Sequence, residues 1–389
     1  MSGPTDGPTA GPVARLVAGP TTGPAAGPRT HRLRVLDVIA ETSEAHSLIL
    51  QPPPESADRF AYRPGQFLTL KLPGPDGKPV ARCYSLASSP HTGEPMKVTV
   101  KRVPGGYGSH WLCDHVATGE ELEALPPAGT FTPPSLDHDL LLVAGGSGIT
   151  PVLSIAKSAL AQGWGRVALL YANRDESSVI FRDELRELTE NHPDRLLVLH
   201  WLESLQGLPT TDRLSAALAP YADRETFVCG PEPLMDAVEQ GLRTLGTPGA
   251  RIHRERFFSL SGDVFETPSV EERTTAAADI TTAQHVNTTA QHVSTVAQHV
   301  TTAEVELDDE TRTVRWPSGT PLLDVLLTAG VDAPYSCREG ACSACTCRIV
   351  AGEVKMLRND VLDDQDIAEG YALACQAVPL TDRVRITYS

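Results

Sequence analysis

The sequence predicts a multidomain protein: an antiparallel β-barrel, then an α/β domain, then a small C-terminal domain built on four cysteines. Three observations carry this reading. Short runs of branched residues separated by Pro and Gly turns fill residues 31–135, as in an antiparallel barrel. From residue 136 strand-like runs alternate with helical ones, which implies an α/β layer structure. Near the C-terminus stands Cys337-Arg-Glu-Gly-Ala-Cys342-Ser-Ala-Cys345, completed by Cys375.

The 389 residues suffice for two or three domains, and 41% are apolar, enough for ordinary cores. No apolar run approaches the roughly 20 residues of a membrane span, so no membrane role is expected. A net charge of −16 argues against nucleic acid, which asks for clustered Lys and Arg. Residues 303–389 hold 15 acidic against 8 basic residues; such a field steers toward a basic partner surface, or simply solubilises the domain. Besides the four cysteines above, Cys83, Cys113, Cys229 and Cys347 are scattered, and no signal peptide precedes them, so a reduced, cytoplasmic setting is expected.

In chain order, residues 1–30 repeat Gly-Pro with Thr and Ala and read as a disordered tail. Strands follow at 33–40, 46–50, 66–71, 80–86 and 96–103. Within them, Arg82-Cys83-Tyr84-Ser85 on a strand sends Arg82 and Tyr84 to one face and Cys83 and Ser85 to the other. An aromatic, a cation and a hydroxyl suit a flavin; a surface Arg beside a half-buried Tyr is the plain alternative. Next, Lys101 precedes the turn Gly105-Gly106-Tyr107-Gly108, with Ser109 as expected N-cap of a helix at 109–116. Such a turn makes an anion pocket from free N–H groups, or is only a turn and a cap.

Residues 140–144 are all apolar, as in a strand buried on both faces. Gly145-Gly146-Ser147-Gly148-Ile149-Thr150-Pro151 follows and then an amphipathic helix, with Thr150 as the expected cap. Glycines between strand and helix let a pyrophosphate reach the helix N-terminus. The common dinucleotide fingerprint is not met, because Pro151 stands where its third glycine would be. Further strands at 166–172, 196–200 and 226–229 alternate with helices at 181–190, 214–221 and 233–245.

Residues 260–302 read as a flexible tether. Ala-Gln-His-Val recurs three times, placing His285, His292 and His299 seven apart; a narrow helical stripe or a metal site are the alternatives. Then C-x4-C-x2-C with a distant fourth cysteine is the ligand spacing of a plant-type [2Fe-2S] cluster. Structural zinc prefers paired C-x2-C knuckles. The small Gly340, Ala341, Ser343 and Ala344 leave room for N–H groups around the cluster. Cys347, entering an apolar strand, reads as packing. Strands at 304–307, 311–316 and 383–388 with a helix near 322–326 resemble a β-grasp.

Taken together, R-x-Y-S at Arg82, G-x-x-S-x-x-L at Gly106, G-G-x-G-I-T-P at Gly145 and Cys229-Gly230-Pro231, in this order, resemble the ferredoxin-NADP reductase family of flavoproteins over residues 31–258. With the cysteine module the chain is similar to the three-part reductases of bacterial oxygenases. The resemblance implies an FAD-binding barrel at 31–135, an NAD(P)-binding α/β domain at 136–259 and a ferredoxin-like domain at 303–389. It implies that Arg82, Cys83, Tyr84 and Ser85 hold FAD, with Lys101, Gly106, Gly108 and Ser109 around its phosphates. Gly145, Gly146, Ser147, Gly148, Ile149 and Thr150, with Asn173, Arg174, Gly230 and Pro231, would take the nicotinamide nucleotide. Ser85, Cys229 and Glu255 would surround the hydride path, with Phe257 against the flavin. Cys337, Cys342, Cys345 and Cys375 would hold the irons. Asp175 and Glu176 beside Arg174 favour NADH, with NADPH possible. FAD accepts electrons in pairs and can release them singly, which suits a one-electron cluster. The implied partner is a terminal oxygenase. The module order, Gly-Gly-Tyr-Gly-Ser-His-Trp-Leu and residues 200–209 look most like the subgroup serving Rieske-type steroid hydroxylases; a di-iron oxygenase is the alternative. From another class, the chain could be a redox or metal-sensing iron–sulfur module.

Overall fold

The computed structural model describes residues 30–257, 260, 264–265, 300–307, 310–362 and 364–388. The Gly-Pro tail expected to be disordered and the histidines of the three repeats lie outside the described residues. The first sheet contains β1 (His31–Thr42), β2 (Ala45–Gln51), β3 (Phe67–Pro73), β4 (Pro79–Ser85), β5 (Met96–Lys101) and β6 (Glu121–Ala128). Its order is β4-β3-β6-β1-β2-β5, and every pairing is antiparallel. Leu33 and Val35, Leu48 and Leu50, Val98 and Val100 turn inward from alternate positions into one core, as a period of two requires. A single bridge, Leu86 to Val98, joins the two ends of the sheet. Beyond it the barrel has an open seam between β4 and β5. The helix α1 (Tyr107–His115) lies on β5 and sends Leu112 into the same core.

The second sheet is parallel, with order β11-β10-β7-β8-β9. It comprises β7 (Leu140–Gly145), β8 (Val167–Asn173), β9 (Leu196–Leu202), β10 (Glu225–Cys229) and β11 (Ile252–Glu255). All six residues of β7 are buried, because helices cover both faces. On one face α2 (Ile149–Gln162) and α3 (Arg182–Asn191) pack over Leu140 and Leu142; after the one-turn α4 (Glu203–Gln206), α5 (Thr211–Leu218) and α6 (Glu232–Thr244) pack over Leu141 and Val143. The chain runs outward from β7 through β8 to β9, then crosses back to β10. The C-terminal ends of β7 and β10 therefore open into a crevice, where open α/β sheets take ligands.

A clamp of partly buried charges ties this domain to the barrel. Lys157 of α2, with a side chain 8% exposed, lies 2.6 Å from both Glu94 and Glu184, and Lys97 of β5 lies 2.8 Å from Glu184. Beside it Ser154 donates to the Ser88 carbonyl, and the Ser89 and Ser158 hydroxyls lie 2.8 Å apart.

The third sheet, order β13-β12-β18-β14-β16, joins β12 (Val300–Leu307), β13 (Glu310–Pro317), β14 (Thr346–Ala351), β16 (Tyr371–Leu373) and β18 (Arg383–Thr387), with β15 (Val354–Met356) and β17 (Ala377–Pro379) paired apart. The helix Leu322–Thr328 packs on it around the buried Trp316, which completes a β-grasp. Strand β12 begins at Val300, inside the stretch expected as tether: Thr301 is buried and donates to the Thr381 carbonyl. Leu260 and Val264 are also buried, against the barrel and the cysteine loop. No helix among the described residues is long and apolar enough to cross a membrane.

Candidate functional site

The barrel seam is itself a cavity of about 450 Å³. Because it wraps the edge strand, both faces of β4 reach it, and Arg82, Cys83, Tyr84 and Ser85 all line it. Thr99 and Lys101 come from β5, and Gly106, Gly108 and Ser109 from the start of α1; Ser147, Thr150 and Phe257 close the far side. The helix starts two residues earlier than its sequence suggests. Gly106 is its N-cap, and Ser109 lies inside, donating to the Gly106 carbonyl and accepting from the Val103 N–H. Ser109 closes the turn and does not cap the helix. A Cβ on Gly108 would stand 3.0 Å from Arg82 Cγ, so glycine lets the arginine lie along the helix start. Burial pushes the Tyr84 phenol well above its ordinary range, leaving it neutral.

A second cavity of about 320 Å³ fills the crevice above β7 and β10, lined by Gly145, Gly146, Ser147, Gly148, Gly230 and Pro231 with Glu232, Met235 and Arg256. Its floor depends on glycine: a Cβ on Gly148 would lie 2.1 Å from the Cys229 carbonyl oxygen, and one on Gly230 2.9 Å from the Gly145 nitrogen. The two turns interlock backbone to backbone. Here too the helix start is shifted, because a 3-10 turn over Gly146–Gly148 leads straight into α2 at Ile149. Thr150 is already helical, and its hydroxyl donates to the Ser147 carbonyl. Ile149 is fully buried in the domain core, so its side chain packs and does not face a ligand.

At the end of β8 the buried Asn173 amide has no hydrogen-bond partner among the described residues, while Tyr171 beside it donates to the Gly146 carbonyl. Buried amides are seldom left unpaired; this one fits a polar ligand. Arg174 stands outside both cavities, 2.6 Å from Glu44 of the barrel. The Asp175 carboxylate is occupied in capping, accepting from the Ser177 hydroxyl and the Ser178 N–H, bonds that lower its pKa.

The two cavities share Lys101, Ser147 and Phe257, so a molecule in one meets a molecule in the other at Phe257. Burial, then the charge of Arg174, lowers the Lys101 ammonium. Cys229 and Glu255 face each other in register on β10 and β11, outside both linings. Burial raises the Cys229 thiol and pushes the Glu255 carboxyl up to about 8; the glutamate keeps some open surface, but its carboxyl lies at depth. Both are protonated at neutral pH. Thr99, Met235 and Arg256 are lining residues without a sequence signal, being single side chains delivered by tertiary packing.

The four candidate cysteines are gathered and buried. Arg338, Gly340 and Ser343 adopt φ of 58°, 77° and 55°, folding the loop so that N–H groups turn inward. Glu339 and Ala341 donate to Cys337 Sγ at 3.3 and 3.4 Å, the Cys337 N–H to Cys342 Sγ at 3.3 Å, and the Cys375 N–H to Cys345 Sγ at 3.4 Å. Hydrogen bonds with Cys342 and Cys375, against the opposing effect of burial and helped by the Ala341 and Glu339 N–H groups, push the Cys337 thiol far down. Among the described residues no three His, Cys, Asp or Glu are placed for a single ion; four gathered thiols ringed by N–H donors are the chemistry a [2Fe-2S] cluster asks for. Cys347 points away and donates to the Ala372 carbonyl.

Three family models match successive parts of the chain: an oxidoreductase FAD-binding domain at residues 36–132, an oxidoreductase NAD-binding domain at 142–240 and a 2Fe-2S iron-sulfur cluster binding domain at 305–380. The 3-ketosteroid-9-alpha-monooxygenase ferredoxin reductase component of Rhodococcus rhodochrous is 54% identical over 92% of this chain and 96% of that protein. A component of the 1,2-phenylacetyl-CoA epoxidase of Escherichia coli is 34% identical over 92% of this chain and 97% of that protein. In fold, phthalate dioxygenase reductase superposes with a TM-score of 0.51 at 24% identity, over 92% of this chain and 98% of that one. The chain belongs to the family of monooxygenase ferredoxin reductase components with FAD-binding, NAD-binding and [2Fe-2S]-binding domains.

Proposed function

We propose that this chain passes electrons from NADH, through FAD in the barrel seam and a [2Fe-2S] cluster on Cys337, Cys342, Cys345 and Cys375, to a terminal oxygenase that hydroxylates 3-ketosteroids at C9. The observation that carries the reading is the adjacency of the two cavities at Phe257 and Lys101, with the cysteine loop packed on the other side of the barrel wall. When bound, FAD takes up two electrons as hydride and releases them one at a time. The chain's own groups position the reactants. The N-terminus of α1 with Arg82 and Lys101 receives the flavin diphosphate, and the 3-10 turn leading into α2 receives the pyrophosphate of the nucleotide. Ser85 lines the seam as a neutral hydroxyl, and Cys229 and Glu255, protonated behind the linings, add no fixed charge beside the hydride path. Arg174, held by Glu44, is ill placed for a 2′-phosphate, which supports NADH.

The domains are assigned to 31–135, 136–259 and about 300–389, and the eight unpaired cysteines suit a reducing cytoplasm. The steroid assignment is supported by the 54% identity to the Rhodococcus component. Anaerobic titration with NADH and separately NADPH, followed by visible absorbance, is expected to bleach flavin and cluster at lower NADH. Reconstitution with a 3-ketosteroid oxygenase and with a phenylacetyl-CoA epoxidase then decides the partner; productive turnover only with the epoxidase overturns the steroid assignment.

A further inference from the structure

The cysteine domain meets the barrel across an apolar patch in which Phe67, Ala81 and Leu125 face Cys337, Cys342 and Ala344. Inside it lies one polar knot. Thr69 Oγ1 and Ser336 Oγ are 2.7 Å apart, and Cys83 Sγ stands 3.6 Å from Thr69 Oγ1 and 3.7 Å from Ser336 Oγ. Thr69 and Cys83 are directly paired across β3 and β4, so the barrel half is rigid. Cys83 lines the seam cavity, while Ser336 is 1% exposed and immediately precedes the cluster ligand Cys337. One short chain of atoms thus runs from the cavity wall through Cys83 Sγ and Ser336 Oγ to the backbone of a cluster ligand. Polar groups buried in an apolar interface are costly unless they bond to one another, and small side chains here hold the two domains close.

We propose that Cys83 and Ser336 form the crossing by which electrons pass from the flavin cavity to the cluster. Tunnelling is faster through bonded and hydrogen-bonded atoms than across a gap, and it weakens steeply with separation. Each crossing oxidises the reduced flavin by one electron and reduces one ferric ion to ferrous; no bond to Cys83 or Ser336 forms or breaks. The inference rests on the seam being the FAD site and the four thiols being the cluster ligands.

The test uses the full-length holoprotein with Ser336→Ala, Cys83→Ala and Cys83→Ser. Stopped-flow absorbance after anaerobic mixing with NADH follows flavin and cluster separately. In Ser336→Ala the flavin is expected to reduce as in the unaltered protein while the cluster reduces severalfold more slowly. The midpoint potential and the EPR spectrum of the dithionite-reduced cluster are expected to stay unchanged, which separates a longer path from a changed driving force. Per bound flavin, Cys83→Ala is expected to slow the cluster and Cys83→Ser to restore most of the rate. Unchanged cluster reduction in both alanine variants, or slowing accompanied by a shifted cluster potential, overturns the proposal. Failure of the unaltered holoprotein to bleach with NADH instead refutes the reading of the sites. If Cys83→Ala does not hold flavin, the rate and potential of Ser336→Ala decide alone.

Discussion

Replacing Glu255 by Gln is expected to stabilise the protein, and to do so more at high pH. Burial raises the carboxyl from 4.5 to about 8, partly opposed by the Arg256 backbone N–H, which favours the charged form. In the unfolded chain the group ionises near 4.5; in the folded protein it stays protonated until about 8. The folded state therefore carries no penalty below pH 4.5, a growing penalty between 4.5 and 8, and a constant one above. A shift of this size sets a ceiling of about 5 kcal/mol, and between pH 6 and 9 the penalty grows by about 3 kcal/mol. Glutamine keeps the shape and cannot ionise. Urea unfolding followed by the fluorescence of Trp201, buried in the same α/β domain, at pH 6 and 9 measures the difference between the two proteins. A pH-independent difference, or a glutamate protein that gains on glutamine as pH rises, refutes a buried neutral carboxyl at this strand end.

Gly148→Ala forces a Cβ to within 2.1 Å of the Cys229 carbonyl oxygen; a loss of about 3 kcal/mol or more and of nucleotide-induced spectral change is expected, read by thermal unfolding and titration. Lys157→Met leaves Glu94 without its buried cation and Glu184 with Lys97 alone; unfolding should become easier by about 3 kcal/mol, and the barrel and α/β domain should become separately cleavable by protease. Cys375→Ser is expected to abolish the iron–sulfur absorbance and EPR signal while flavin absorbance persists, since Cys375 belongs to the core of the C-terminal domain and not to the patch that domain shares with the barrel.

The proposed cluster site is legible in sequence because three of its four candidate ligands lie on one loop, where spacing alone encodes geometry. The barrel and the parallel sheet are legible through alternation in β1 and β2 and the wholly apolar β7. Strand β11 is not, because His253, Arg254 and Glu255 carry no apolar pattern: Arg254 is held by Asp236 and Glu239 of α6, so tertiary ion pairs do what hydrophobic burial does elsewhere. Ser109 and Thr150 read as caps in sequence but cap nothing, because glycine turns start both helices without a side-chain cap. Ile149 belongs to a ligand-binding motif in sequence yet serves the core in space, since a motif records which residues are needed and not which way each faces. The meeting of Cys83 with Ser336 spans 253 positions and has no local signal at all.

The single bridge at Leu86 and Val98 would make a flavin held in the seam a structural member of its own binding domain. Where a fully closed barrel would ladder β4 to β5, this one presents two bare strand edges, and such edges recruit strands from other chains. Occupancy and folding then become one equilibrium: a ligand at about a hundredfold above its dissociation constant adds about 2.7 kcal/mol to the folded state. When flavin runs short, the flavin-free protein would be a candidate for aggregation and proteolysis as well as being inactive. The amount of reductase a cell retains would then follow its flavin supply.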